Sequence, residues 1–188
     1  MQSDPNGRGL LNSYALVAYI PDPLGRFLDD LRTDLVPGCS PHAHVTVLPP
    51  RLLSAKPRAA REYLRPLLAV CSPFDVHMGA VEVFPVSDVI YIGVAKGEPE
   101  LRGMHNLLNG GVVEFKTIYP FHPHITIAQE LPPGTASGLA ERARRQWAAF
   151  PHSRSFRVDR VSFVHNVDGC KWVDLEEFPL NGKAAARR

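Results

Sequence analysis

Apolar and polar positions along this chain switch repeatedly between a two-residue and a 3.6-residue period. A short β-prone run at 14–20 (YALVAYI) is followed at once by Asp22 and Pro23, an N-cap and first-turn pair that announces a helix. Leu24, Phe27, Leu28, Leu31 and Leu35 then recur at the spacing of one buried helical face, until Pro37-Gly38 stops it. Residues 42–48 (HAHVTVL) return to strand alternation and end at Pro49-Pro50. The stretch 56–68 reads as a helix that Pro66 ends or kinks, and 74–84 as a further strand.

The second half repeats this order. Residues 89–94 (VIYIGV) predict a strand; Leu101, Met104, His105 and Leu108 mark one face of a helix; 122–128 (HPHITIA) is again a strand. A helix over 137–150 carries Leu139, Ala143, Trp147 and Phe150 along one side, and strands follow at 156–165 and 171–178, joined by an Asp168-Gly169 hairpin turn. Such self-similarity predicts an α+β fold of two similar lobes, roughly 13–86 and 87–180, related by a pseudo-two-fold axis. The expected organisation is a single bilobal domain over 13–180, with flexible ends at 1–12 and 181–188.

Composition narrows the class. With 188 residues, 45% of them hydrophobic, the chain has apolar surface enough for a real core. Lysines and arginines number 21 against 19 acids, a net charge of +2, which excludes the dense basic stripe of a nucleic-acid coat and leaves only local contacts. Cys39, Cys71 and Cys170 match neither zinc-ligand nor disulfide spacing and read as free thiols of a reducing compartment. Residues 1–9, with Pro5, Gly7 and Gly9, hold no apolar stretch for a signal or membrane span, so the expectation is a cytoplasmic protein. Lys183, Arg187 and Arg188 in the tail read as solvated, or as touching a phosphate backbone.

The repeat is sharpest where chemistry is available. His42-Ala43-His44-Val45-Thr46-Val47 corresponds to His122-Pro123-His124-Ile125-Thr126-Ile127. Independent placement of 8 histidines and a handful of threonines would give well under one histidine with threonine two places on, and here two lie inside apolar strands. Alternation sends His44 and Thr46 to one face and Val45 and Val47 into the core, and treats His124 and Thr126 alike. If the lobes face each other, two imidazoles meet across a cleft, each beside a hydroxyl. One imidazole as base and one as acid, with titration near neutrality, suit hydrolysis of a cyclic phosphodiester, and the hydroxyls suit its non-bridging oxygens. Neither a metal nor another cofactor is required.

Paired His-x-Thr-x (HxTx) motifs in a duplicated αβ chain resemble the two-histidine (2H) phosphoesterase superfamily, and within it the bacterial 2'-5' RNA ligase and cyclic phosphodiesterase family. The likeness spans 14–180 and includes HVTVLPP after the first motif and PHITIA around the second. It implies antiparallel sheets lining a central groove with helices outside, and a hydrolase that opens 2',3'-cyclic phosphates of RNA ends or nucleotides to 2'-phosphates, at times with reversible 2'-5' joining. The family's catalytic pair falls on His44 and His124 and its hydroxyl pair on Thr46 and Thr126, with acid and base left open. The implied partner is an RNA end or small nucleotide carrying a cyclic phosphate; no membrane or protein partner is implied.

Other readings stand beside this one. His42 and His122 are additional to the motif: they cap strand ends at the groove mouth and bind phosphate, or, as His-x-His pairs on one strand face, they ligate zinc in a metal-dependent phosphohydrolase, or they are surface residues without a function. Neither motif strand, however, contains Asp, Glu or Cys. Arg51 is a candidate phosphate contact and Tyr91 a candidate base-stacking ring, although each also reads as ordinary surface or core. His105 on its apolar stripe reads as a satisfied core histidine, while His77, His152 and His165 carry no special role. Threonine suits strands in any case. A two-lobed protein that binds RNA ends or cyclic nucleotides without turning them over is the remaining class.

Overall fold

A computed structural model of the protein describes residues 11–38, 42–117, 119–168 and 171–182. The expectations for residues 1–10, Cys39, Gly169, Cys170 and 183–188 lie outside these. The chain runs β1 (Tyr14–Tyr19), α1 (Leu24–Leu35), β2 (His44–Arg51), α2 (Pro57–Ala69), β3 (Phe74–Val83), β4 (Ile90–Lys96), α3 (Glu98–Leu108), β5 (His124–Ala128), α4 (Ala136–Ala149), β6 (Ser155–Val158), β7 (Arg160–Asn166) and β8 (Trp172–Pro179), with a 3₁₀ turn Gly111–Val113 before β5.

Three local expectations need correction. Asp22 is not the cap residue, because Pro23 takes that position and α1 starts at Leu24. The Asp22 carboxylate still accepts a hydrogen bond from the Arg26 amide at 3.0 Å, so an orphan donor of the first turn is satisfied from one position further out. β2 does not stop before Pro49-Pro50 but continues through them to Arg51, which an edge strand tolerates because no neighbour needs the missing amides. Finally, 156–165 is two strands. The buried set changes phase at Asp159, from Phe156 and Val158 to Val161 and Phe163, and the chain leaves one sheet for the other.

Every strand pairing is antiparallel, and two four-stranded sheets result, β2-β1-β7-β8 and β5-β4-β3-β6. The sheets are not the two sequential halves of the chain. β3 crosses over to pair with β4, and β7 and β8 return to pair beside β1, so each sheet draws strands from both halves. Helices cross as well: α1 packs against β5 and α4 against β3, while α3 packs against β2 and α2 against β8. Their apolar faces merge into one core, with Leu16, Val45 and Phe163 of the first sheet joined to Val76, Ile90 and Ile125 of the second. The helix-free faces line the central groove, where the edge strands β2 and β5 approach one another. Among the described residues no helix is long and apolar enough to cross a membrane.

Candidate active site

The two histidine strands are built alike to the residue. Tyr19 is the cross-strand partner of His44 and Val17 of Thr46; Gly93 is the partner of His124 and Tyr91 of Thr126. Both strands share one burial sequence: the histidine half-buried, the next residue buried, the threonine half-buried, then two buried residues in a row. The double burial comes from a bulge. Register slips between Leu16 and Val17 against β2, and between Ile90 and Tyr91 against β5, so Val47 and Leu48, like Ile127 and Ala128, both turn into the core. His44, Thr46, His124 and Thr126 are left on the groove face.

Each catalytic candidate is oriented by its own backbone. His44 Nδ1 donates to the His42 carbonyl at 2.7 Å, and His124 Nδ1 donates to the His122 carbonyl at the same distance. A carbonyl only accepts, so both rings hold their proton on Nδ1 when neutral and turn a lone-pair-bearing Nε2 away from it. Burial lowers the His44 pKa from its ordinary value to about 4, opposed by that carbonyl bond and assisted by positive charge on Arg32, His124 and His42. Burial also lowers His124, again against the carbonyl bond and with the His122 charge adding to it. Imidazoles near neutrality were the expectation; removal from water moves them below it.

Two residues that sequence reasoning did not assign to the site brace these strands. Arg32, on the buried stripe of α1, donates from Nη1 to the Thr126 carbonyl of β5 at 2.8 Å. His105, at the matching place on α3, donates from Nδ1 to the Val47 carbonyl of β2 at 2.8 Å. The helix of each half thus holds the bulged strand of the other. A signal for Arg32 was present: a charge one helical turn beyond Leu28, inside the apolar stripe. His105 was read as a satisfied core histidine, and its ring also stacks on Phe121, 3.9 Å between centroids, just before the second motif.

The outer histidines are exposed and differ from one another. His42 sits 3.6 Å from the Asp29 carboxylate and edge-on to the Tyr19 ring. His122 lies edge-on to Phe84 and Tyr91, with its ring centroid 6.1 Å from that of His124. Among the described residues no group of three His, Cys, Asp or Glu converges as a metal site would require.

Of the two readings open for Arg51 and Tyr91, substrate contact or ordinary surface or core, both residues occupy covered positions. Arg51 is 2% exposed and donates to the Pro49 and Val113 carbonyls and to Asn109 Oδ1, with its guanidinium over the Phe115 ring. Burial lowers its pKa to about 10. It anchors the segment before β5 to the end of β2 and is not presented to a phosphate. The Tyr91 ring is buried with Phe84 stacked on it at 4.0 Å, and its hydroxyl donates to Glu82 Oε2 at 3.0 Å. Its face is therefore covered rather than open to a base. It makes an aromatic wall against His124 instead, 5.4 Å away.

Comparison with known proteins agrees with this geometry. Residues 20–169 match the model of the 2'-5' RNA ligase superfamily. The chain belongs to that superfamily. A Geobacillus sp. (strain WCH70) protein named provisionally as a phosphoesterase is 29% identical over 150 residues, 75% of this chain and 84% of its own. One of Oceanobacillus iheyensis with the same provisional name is 32% identical over 122 residues, 63% of this chain and 68% of its own. Among solved structures, E. coli LigT complexed with 3'-AMP superposes with a TM-score of 0.61 at 16% identity, covering 90% of this chain and 98% of that one. The fold seen here, with two antiparallel sheets and four helices, is thus shared with LigT.

Proposed function

We propose that this member of the 2'-5' RNA ligase superfamily is a metal-independent cyclic phosphodiesterase that hydrolyses 2',3'-cyclic phosphates of RNA ends or nucleotides to 2'-phosphates. The observation that carries the reading is the mirrored pair of Nδ1-to-carbonyl hydrogen bonds, which aims one Nε2 from each half at a shared groove. His44, whose burial and whose neighbour Arg32 disfavour its charged form, takes the proton of the attacking water. His124 delivers a proton to the departing ribose oxygen. Thr46 and Thr126 hydroxyls on the same face hold the non-bridging oxygens as charge builds on them. LigT has been crystallised with 3'-AMP, which is consistent with a nucleotide in such a groove. Joining of RNA ends is the same ring opening with a ribose 5'-hydroxyl in place of the attacking water, so that a 2'-5' phosphodiester forms as the bond to the 3' oxygen breaks.

The test is hydrolysis of a 2',3'-cyclic nucleotide panel in excess EDTA, with His44→Ala and His124→Ala alongside. Turnover that resists EDTA and falls by about 10²- to 10⁴-fold in each variant supports the reading. Activity abolished by EDTA, or a His44→Ala variant with near-normal rates, overturns it.

A further inference from the structure

The floor of the groove differs between the two histidines. Beside His44 it is filled, because the cross-strand partner of His44 is Tyr19, whose ring lies edge-on to the imidazole at 6.5 Å. Beside His124 the partner is Gly93, which brings no side chain. A carboxylate from the next strand reaches into that place. Glu82 of β3 pairs with Tyr91 of β4, and Glu82 Oε1 lies 3.2 Å from where a Cβ on Gly93 would stand. The other oxygen is tied down: the Tyr91 hydroxyl donates to Oε2 at 3.0 Å, and the Tyr91 ring is held by Phe84 stacked on it, 5.4 Å from His124. Glu82 is exposed, and its Oε1 has no hydrogen-bond partner among the described residues.

We propose that Glu82 is a specificity residue that accepts hydrogen bonds from the substrate's base and thereby selects guanine. This rests on the cyclic phosphodiesterase reading above and deepens it by naming the base. In that reading His124 protonates the departing ribose oxygen, so the sugar and its base lie on the His124 side of the groove, over Gly93. A carboxylate only accepts, and Oε1 together with the second lone pair of Oε2 offers two adjacent acceptor sites. Among the four RNA bases, guanine answers with two adjacent donors, its N1–H and its N2 amino group. Adenine and cytosine set a ring-nitrogen acceptor next to their amino group, and uracil flanks its single N–H with two carbonyl oxygens. Each of these three brings a lone pair against the carboxylate, and a polar edge left unmatched is what separates substrates strongly. Because Tyr91 already orients the carboxylate, little freedom is lost when the base arrives.

The test measures kcat/KM of the whole protein on the 2',3'-cyclic phosphates of guanosine, adenosine, cytidine and uridine, with Glu82→Gln alongside. Guanosine should exceed each of the others about 5- to 150-fold, the range expected of a two-bond contact to a base. In Glu82→Gln the amide oxygen keeps the Tyr91 hydroxyl and the amino group turns toward the groove, a donor where guanine needs an acceptor. The guanosine-to-adenosine ratio should then fall by about the same factor. A contact to the ribose, or a merely structural role, lowers all four rates together and leaves the ratio unmoved. An unmoved ratio, or equal wild-type rates on all four nucleotides, overturns the proposal and leaves the hydrolysis standing. Calorimetric titration with 2'-GMP and 2'-AMP separates the two readings. Preferential binding of 2'-GMP that Glu82→Gln abolishes, without turnover of any cyclic phosphate, sinks the catalytic reading and leaves the base contact standing.

Discussion

His44 and His124 are equivalent by motif and by hydrogen bond, and the difference between them is environmental. His44 is desolvated and faces the Arg32 guanidinium, which brings its pKa to about 4; His124 is lowered by burial and by His122. As base, His44 becomes competent when pH rises through about 4; as acid, His124 is lost once pH exceeds its own depressed pKa, below the ordinary 6.5. The kcat/KM profile should therefore be a bell with its optimum between about pH 4 and 6.5, and an optimum above pH 7 would contradict the assignment. Thr46→Val and Thr126→Val should each lower kcat about 10²-fold, while the Thr→Ser variants keep most of it. These four residues were legible because strand alternation alone dictates which side chains share a face. The burial that sets their pKa values was not, because it depends on the opposite sheet and on α1.

The bulge that ends each motif, and the crossed helix that braces it, belong to the scale of the element. Removing the guanidinium in Arg32→Met takes a positive charge from beside His44, so the acid limb of the pH profile should move upward while KM changes little; an unmoved limb would deny Arg32 its electrostatic part. At the far end of β2, Arg51→Met leaves the Val113 carbonyl and Asn109 Oδ1 without their donor in a buried setting. A loss of about 3 kcal/mol in urea unfolding is expected, and a change under about 1 kcal/mol would show that the anchor is dispensable. At this scale the pattern located nearly every helix and strand, since amphipathic period is a local property. It missed that β2 continues through Pro49-Pro50, because strand edges are defined by neighbours, and it missed the division at Asp159, where the only local sign is a change in the phase of the apolar positions.

Over the whole molecule, each sheet needs strands from both halves, and each half lends its first helix to the other. The segments 13–86 and 87–180, expressed separately, should accordingly show no cooperative thermal transition, whereas the full chain shows one; a cooperatively folding half would require a different pairing from the one seen. The sequence by itself determined that the chain is duplicated, which elements it contains, and that a histidine and a threonine on each of two strands share a face. Those follow from residue spacing, which needs no knowledge of distant segments. Only the tertiary structure decided that the halves exchange strands and helices, that Arg51 is buried and Tyr91 is covered by Phe84, and that Arg32 and His105 grip the histidine strand of the opposite half. Most of these depend on contacts between residues far apart in the chain, where burial and hydrogen-bond satisfaction across the fold outweigh what any local stretch prefers.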